Sequence, residues 1–136
     1  MTAGYSDTPL GKKLGLKEGF SIKLVHAPDY YFKLFADLPD NLLINDNPSI
    51  KKNLIHLFTK DSKELEKTLS VLREEIFKDG MIWVSWPKKS SKILTDVTED
   101  VVRNIAIKNG LVDIKVCAVD KIWSGLKLVI PVKDRN

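Results

Sequence analysis

A three-layer α/β domain with a mostly parallel sheet and a C-terminal antiparallel hairpin is predicted by three features of this sequence. Apolar runs of strand length alternate with segments of helical periodicity. Glycine or proline stands at most of the junctions between them. The last two strand-like runs are too close together for a crossover, so they pair antiparallel. Alternation of strands with helices implies parallel neighbours joined by right-handed connections. The expected architecture is Rossmann-like, with residues 1–136 in one domain.

Thr8-Pro9-Leu10-Gly11-Lys12-Lys13-Leu14-Gly15 reads as one short helix. Threonine is the expected cap, proline takes the first helical position, Leu10 and Leu14 share a face, and Gly15 ends it. Residues 21–26 alternate as a strand that Ala27-Pro28 stops. From Pro28, the spacing of Tyr31, Leu34, Phe35 and Leu38 predicts a helix running to Pro39. Residues 41–46 have the length of a strand remnant, and 45–49 are loop chemistry.

The apolar run 53–58 is a strand ending at Thr59, and Asp61-Ser62-Lys63-Glu64 has the form of a capping box. The helix it opens carries Leu65, Leu69, Leu72 and Ile76 on one stripe, and Asp79-Gly80 is the expected end. Residues 81–86 are apolar enough for a central strand. A polar, basic loop over 87–92 follows. Asp96, with Glu99 three residues on, reads as the cap of a helix through Val101, Val102 and Ile105 that Gly110 ends. Strands over 112–119 and 126–132, joined by 121–125, form the hairpin.

Forty-three per cent of residues are apolar and 29% charged, the balance of a packed globular domain. Cys117 is the only cysteine, which excludes an intrachain disulfide and a cysteine-rich zinc centre and suggests a reducing compartment. The first twenty residues lack a basic start followed by an apolar run, and no stretch reaches the ~18 apolar residues of a membrane span. A cytoplasmic location without membrane contact is expected. The net charge of +4 is spread along the chain rather than gathered into a stripe, which argues against nucleic acid as a partner.

Four groups of residues carry a family resemblance: Ala3-Gly4-Tyr5-Ser6 with Thr8-Pro9-Leu10; 83–89 (WVSWPKK); 96–103 (DVTEDVVR); and 110–113 together with 123–129 (WSGLKLV). Together they resemble a small bacterial family, a domain of unknown function, which supplies a fold but no mechanism. From Ile55 onward the order of elements also looks like the C-terminal half of the class I methyltransferase fold. That resemblance implies S-adenosylmethionine, held by a glycine-rich turn after the first strand because only glycine lets the backbone approach so closely. Here that turn is His26-Ala27-Pro28-Asp29-Tyr30-Tyr31, with no glycine between Gly19 and Gly80. No phosphate loop or dinucleotide fingerprint occurs either, so no cofactor is expected.

In an open α/β sheet, ligands lie beyond the carboxyl ends of the parallel strands. That gathers His26, Asp29 and Tyr30 after the first strand, Thr59 and Lys60 after the next, and Trp86, Lys88, Lys89 and Ser90 after the third. Lys88, Lys89 and Lys92 precede a helix whose amino end, near Thr95 to Thr98, offers free N–H groups to an anion. Trp86 and Trp123 offer flat faces for stacking, although such rings more often close a core. His26, beside Asp29, is the weak candidate for an acid or base. His56 and Cys117 read as core residues, and Tyr5 and Ser6 as part of a tail folding back over the sheet. No nucleophile elbow and no H-E-x-x-H motif occurs. The expected function is a non-catalytic binding module for an acidic small molecule or a protein. The alternatives are a divergent methyltransferase-like enzyme, with His26 or Asp29 as base, and a weak nucleic-acid binder.

Overall fold

Two short side chains decide where the long helices start. Asp61 accepts from the amides of Lys63 and Glu64 and opens α2 (Ser62–Leu72). Thr98 accepts from the amide of Val101 and opens α3 (Glu99–Lys108). Each satisfies amide donors that a helix start leaves without partners. The computed structural model describes residues 8–136. Ala3, Gly4, Tyr5 and Ser6 lie outside the described residues.

Strands β1 (Ser21–Val25), β2 (Leu43–Ile44), β3 (Lys52–Phe58), β4 (Ile76–Pro87), β5 (Val112–Ala118) and β6 (Trp123–Val129) form one sheet in the order β2-β1-β3-β4-β6-β5. The pairs β1–β2, β1–β3 and β3–β4 are parallel; β4–β6 and β5–β6 are antiparallel. The fold class is therefore the one that the sequence predicts.

On one face the leucine stripe of α2 and Val102, Ile105 and Ala106 of α3 bury against Ile55, Leu57, Ile82, Val84 and Leu126. The other face carries α1 (Leu10–Leu14) and the chain that follows β1, which cover Ile22, Leu54 and Trp83. Trp83 is fully buried and its indole N–H donates to the carbonyl of Leu14 at 2.8 Å, tying α1 to the central strand. Trp83→Phe keeps a ring but leaves that carbonyl without its donor. It is expected to cost about 1–3 kcal/mol in a urea titration.

Far from the rim where the parallel strands end, Lys52 at the start of β3 is wholly buried. Its ammonium meets Oε1 of Glu75 at 3.1 Å, and Lys23 reaches the same oxygen at 2.9 Å. Burial pushes the Glu75 carboxyl upward, but hydrogen bonds from the two lysines outweigh it, and its pKa is lowered.

Several elements depart from expectation. Pro9, not Thr8, is the cap of α1, and Leu10 is its first residue. The helix expected from Pro28 to Leu38 is only a 3-10 turn, Tyr31–Leu34, because Phe35 is already extended. The helical spacing of Tyr31 and Phe35 reflects ring packing instead, with centroids 5.2 Å apart. Helix α2 stops at Leu72, and Ile76 begins β4, reaching the same core from a strand. Asp79-Gly80 is therefore not a helix end. The β3–β4 register jumps from Lys52↔Ile76 to Leu54↔Met81, so residues 77–80 bulge out. A Cβ on Gly80 would lie 3.0 Å from the carbonyl oxygens of both Lys52 and Phe77, so the bulge needs glycine.

Asp96 does not cap α3. Its carboxylate accepts from the amide of Ser62 at 2.8 Å and from the Ser62 hydroxyl, so it sits at the positive end of α2. Strand β6 starts at Trp123, three residues early, because Oδ1 of Asp120 accepts from the amides of Ile122 and Trp123 and tightens the turn. It stops at Val129, ahead of a 3-10 turn, Val132–Asp134. No helix among the described residues is long and apolar enough to cross a membrane.

Candidate functional site

The carboxyl ends of β1, β3 and β4 meet at one rim beside the β5–β6 turn. His26 follows β1 with φ 55° and stands 61% exposed. Its Nδ1 lies 3.2 Å from Oε1 of Glu64 on α2, so its partner is Glu64 rather than Asp29. Asp29 is exposed. Thr59 is buried; its amide donates to the carbonyl of Ser85, and its hydroxyl to the carbonyl of Asp61. A cleft of about 370 Å³ is lined by His26, Phe58, Thr59, Lys60, Asp61, Glu64 and Trp123. Trp123 meets Phe58 edge-on at 5.0 Å, so the cleft has an aromatic wall.

The other sequence candidates divide. Tyr30 donates its hydroxyl to Oδ2 of Asp120 at 2.9 Å, and Lys88 donates its ammonium to the backbone carbonyl of the same residue at 2.7 Å. Both are thereby tied across the rim to the hairpin turn. Trp86 is buried in the core under α2 and α3, where its ring closes the end of that layer. Lys89 and Ser90 are exposed on a 3-10 turn, Lys89–Ser91. The cleft of about 490 Å³ on the approach to α3 is walled by Lys60, Asp61, Lys63, Leu94, Thr95 and Asp96; Lys88, Lys89 and Lys92 take no part in it. The lysine loop and the helix start thus do not converge on one anion seat there.

Beneath the rim, the Tyr31 hydroxyl lies 3.0 Å from Nδ1 of His56, and Nε2 of His56 lies 2.7 Å from the Ser85 hydroxyl. His56 is fully buried and stacks on Phe58, with centroids 4.3 Å apart. Burial pushes its pKa down to about 3, so the ring is neutral and donates through one nitrogen while accepting through the other. Burial pushes the Tyr31 phenol up. With His56 and Ser85 wholly shielded from solvent, the chain of three groups holds the rim together. Cys117 is buried, and burial raises its pKa despite Lys13, Lys115 and Lys88 nearby. No group of three or more His, Cys, Asp or Glu side chains is placed to hold a metal among the described residues.

Solved structures share the fold that carries this rim. The ribosomal protein L11 methylase of Lactobacillus delbrueckii subsp. bulgaricus superposes with a TM-score of 0.58 at 11% identity, covering 89% of this chain and 74% of that one. An S-adenosylmethionine-dependent methyltransferase from Clostridium acetobutylicum ATCC 824 gives 0.58 at 9% identity, covering 89% and 87%. The magnesium protoporphyrin IX methyltransferase of Synechocystis PCC 6803, with bound S-adenosylmethionine, gives 0.55 at 11% identity, covering 89% and 74%. The fold is that of the class I methyltransferases. No protein-family model matches the sequence, and comparison with curated proteins gives no match.

The residues after β1 do not fit the cofactor found in the Synechocystis protein. No glycine stands between Gly19 and Gly80 to let backbone and ligand approach closely. The chain passes through Pro28 into a 3-10 turn whose Tyr31 is 3% exposed, while Tyr30 spans the rim to Asp120. Asp120, Glu64 and Phe58 are the rim residues that sequence reasoning missed. Asp120 lies 90 positions from its partner Tyr30, and no local pattern links them.

Proposed function

We propose that this chain is a non-catalytic binding module on a methyltransferase-like fold, whose rim cleft takes a compact anionic ligand with a flat apolar part. The observation that carries this reading is the composition of the cleft. Both carboxylates in its wall are engaged, Asp61 with the first amides of α2 and Glu64 with His26. The Lys60 ammonium has no such partner among the described residues, and Lys60 lines the same cleft as the aromatic pair Phe58 and Trp123. Such a pairing suits an anionic group attached to a ring. The pairing of His26 with Glu64 leaves Asp29 without the imidazole that the enzyme reading would give it.

A calorimetric titration with a panel of aromatic phosphates and carboxylates tests it. One class is expected to bind saturably without turnover, and Lys60→Ala to weaken it by about tenfold, or about 1.4 kcal/mol. Turnover that depends on His26, or binding indifferent to Lys60, would overturn the proposal in favour of the divergent enzyme.

A further inference from the structure

The antiparallel half of the sheet is covered unevenly on its two sides. Helix α3 packs beneath β5 and β6, while on the opposite face the cluster around α1 covers Trp83 and Cys117 but leaves Lys115 exposed. On that face Lys127 of β6 is the direct cross-strand partner of Lys115 of β5. Lys17 lies close enough to act on Lys127, and Lys13 and Lys88 on the buried Cys117, the next position of β5 on that face. Among the described residues none of these five lysines is in an ion pair with a carboxylate; Lys88 donates to a backbone carbonyl. Burial pushes the Lys127 ammonium down, and repulsion from Lys115 and Lys17 adds to it.

β5 is also a terminal strand, paired only with β6. Ile114 and Val116 on it are 54% and 52% exposed. Val116 pairs with Leu126, which faces the α3 side, so it lies on the face opposite Lys115. A lysine and a bulge commonly protect a sheet edge from pairing, and β5 has both, the bulge lying between Asp113 and Lys115. Edge protection accounts for Lys115 but not for four further lysines without carboxylate partners, nor for two exposed β-branched side chains.

We propose that the free edge of β5 takes an extended acidic segment of a partner protein as a seventh strand, with carboxylates beside Lys115 and apolar side chains beside Val116. Added strands gain affinity through main-chain hydrogen bonds and specificity through alternate side chains. Charge selects this occupant. A second copy would bring lysine against lysine, and a nucleic acid has no side chains for Ile114 and Val116. Lys127, one strand further in, lies within a Debye length of about 8–10 Å and extends the attraction.

The probe is a fluorescein-labelled peptide of alternating glutamate and valine, titrated into the full chain at low ionic strength and followed by anisotropy and by amide exchange. Saturable binding with slowed exchange of β5 amides is expected. Lys115→Glu should weaken it by about tenfold, while the same variant gains the matching lysine–valine peptide. Lys115 is exposed, so the variant should fold, and its urea midpoint checks this. Absence of binding, protection elsewhere than β5, tighter binding of an oligothymidylate with the same Lys115 dependence, or a dimer that itself protects β5 would each overturn the proposal.

Discussion

Glu75→Ala is expected to cost about 3–5 kcal/mol, a large share of the roughly 5–15 kcal/mol by which a domain is ordinarily stable. The loss comes from what remains rather than from what is removed. Lys52 is wholly buried, and its ammonium would keep only the carbonyl of Asn47, while Lys23 would lose its carboxylate as well. A double change, Glu75→Leu with Lys52→Met, should recover much of the stability, because a buried ion pair replaced by apolar side chains of similar volume is often neutral. Urea titrations of the wild type, the single and the double variant measure both quantities. Equal midpoints for the single and double variants would mean that the buried ammonium is not the source of the cost.

Acidification is expected to destabilise the protein well before its exposed carboxylates titrate. His56 is held neutral, with a folded pKa of about 3, whereas an unfolded histidine takes its proton near pH 6.5. Between those values the unfolded chain binds the proton and the folded one does not, so stability falls as pH falls, by up to about 1.4 kcal/mol per pH unit. Glu75 adds to this lower down. Its folded pKa is lowered, so its contribution is present above the unfolded value and lost as pH falls through the folded one. His56→Leu should flatten the slope between about pH 6 and pH 4. At neutral pH it should also lower stability by about 1–3 kcal/mol, because the Tyr31 and Ser85 hydroxyls lose their partner. Urea midpoints across that pH range decide the matter.

What could be read from the sequence was whatever is encoded locally. The three leucines of the α2 stripe, the Asp61 cap and the central run 81–86 each rest on neighbours in the chain and are where the pattern placed them; the last two strands pair antiparallel as expected, with β6 over Trp123–Val129 rather than 126–132. Long-range contacts account for the rest. Tyr31 and Phe35 sit at helical spacing because their rings pack on the aromatic cluster around His56, not because a helix carries them. Ile76 continues the leucine stripe in sequence yet reaches the core from a strand. Asp96 looked like a local cap and instead serves the helix start 34 positions earlier.

The candidate site divides in the same way. His26, Thr59 and Lys60 converge because the carboxyl ends of parallel strands must, and Trp123 meets them from the start of the antiparallel β6. Tyr30 and Lys88 come to the same rim but are held to Asp120, a residue with no motif around it. Trp86 turned inward because the alternation along β4 places it on the α2–α3 side with Ile82 and Val84.

A rim closed to the cofactor of its structural neighbours should reject S-adenosylmethionine, and titration of that cofactor into isotopically labelled protein addresses this directly. Unchanged amide resonances over 26–31 and 119–123, with no saturable heat, are expected. Saturable binding that shifts those resonances and breaks the Tyr30–Asp120 bond would contradict it.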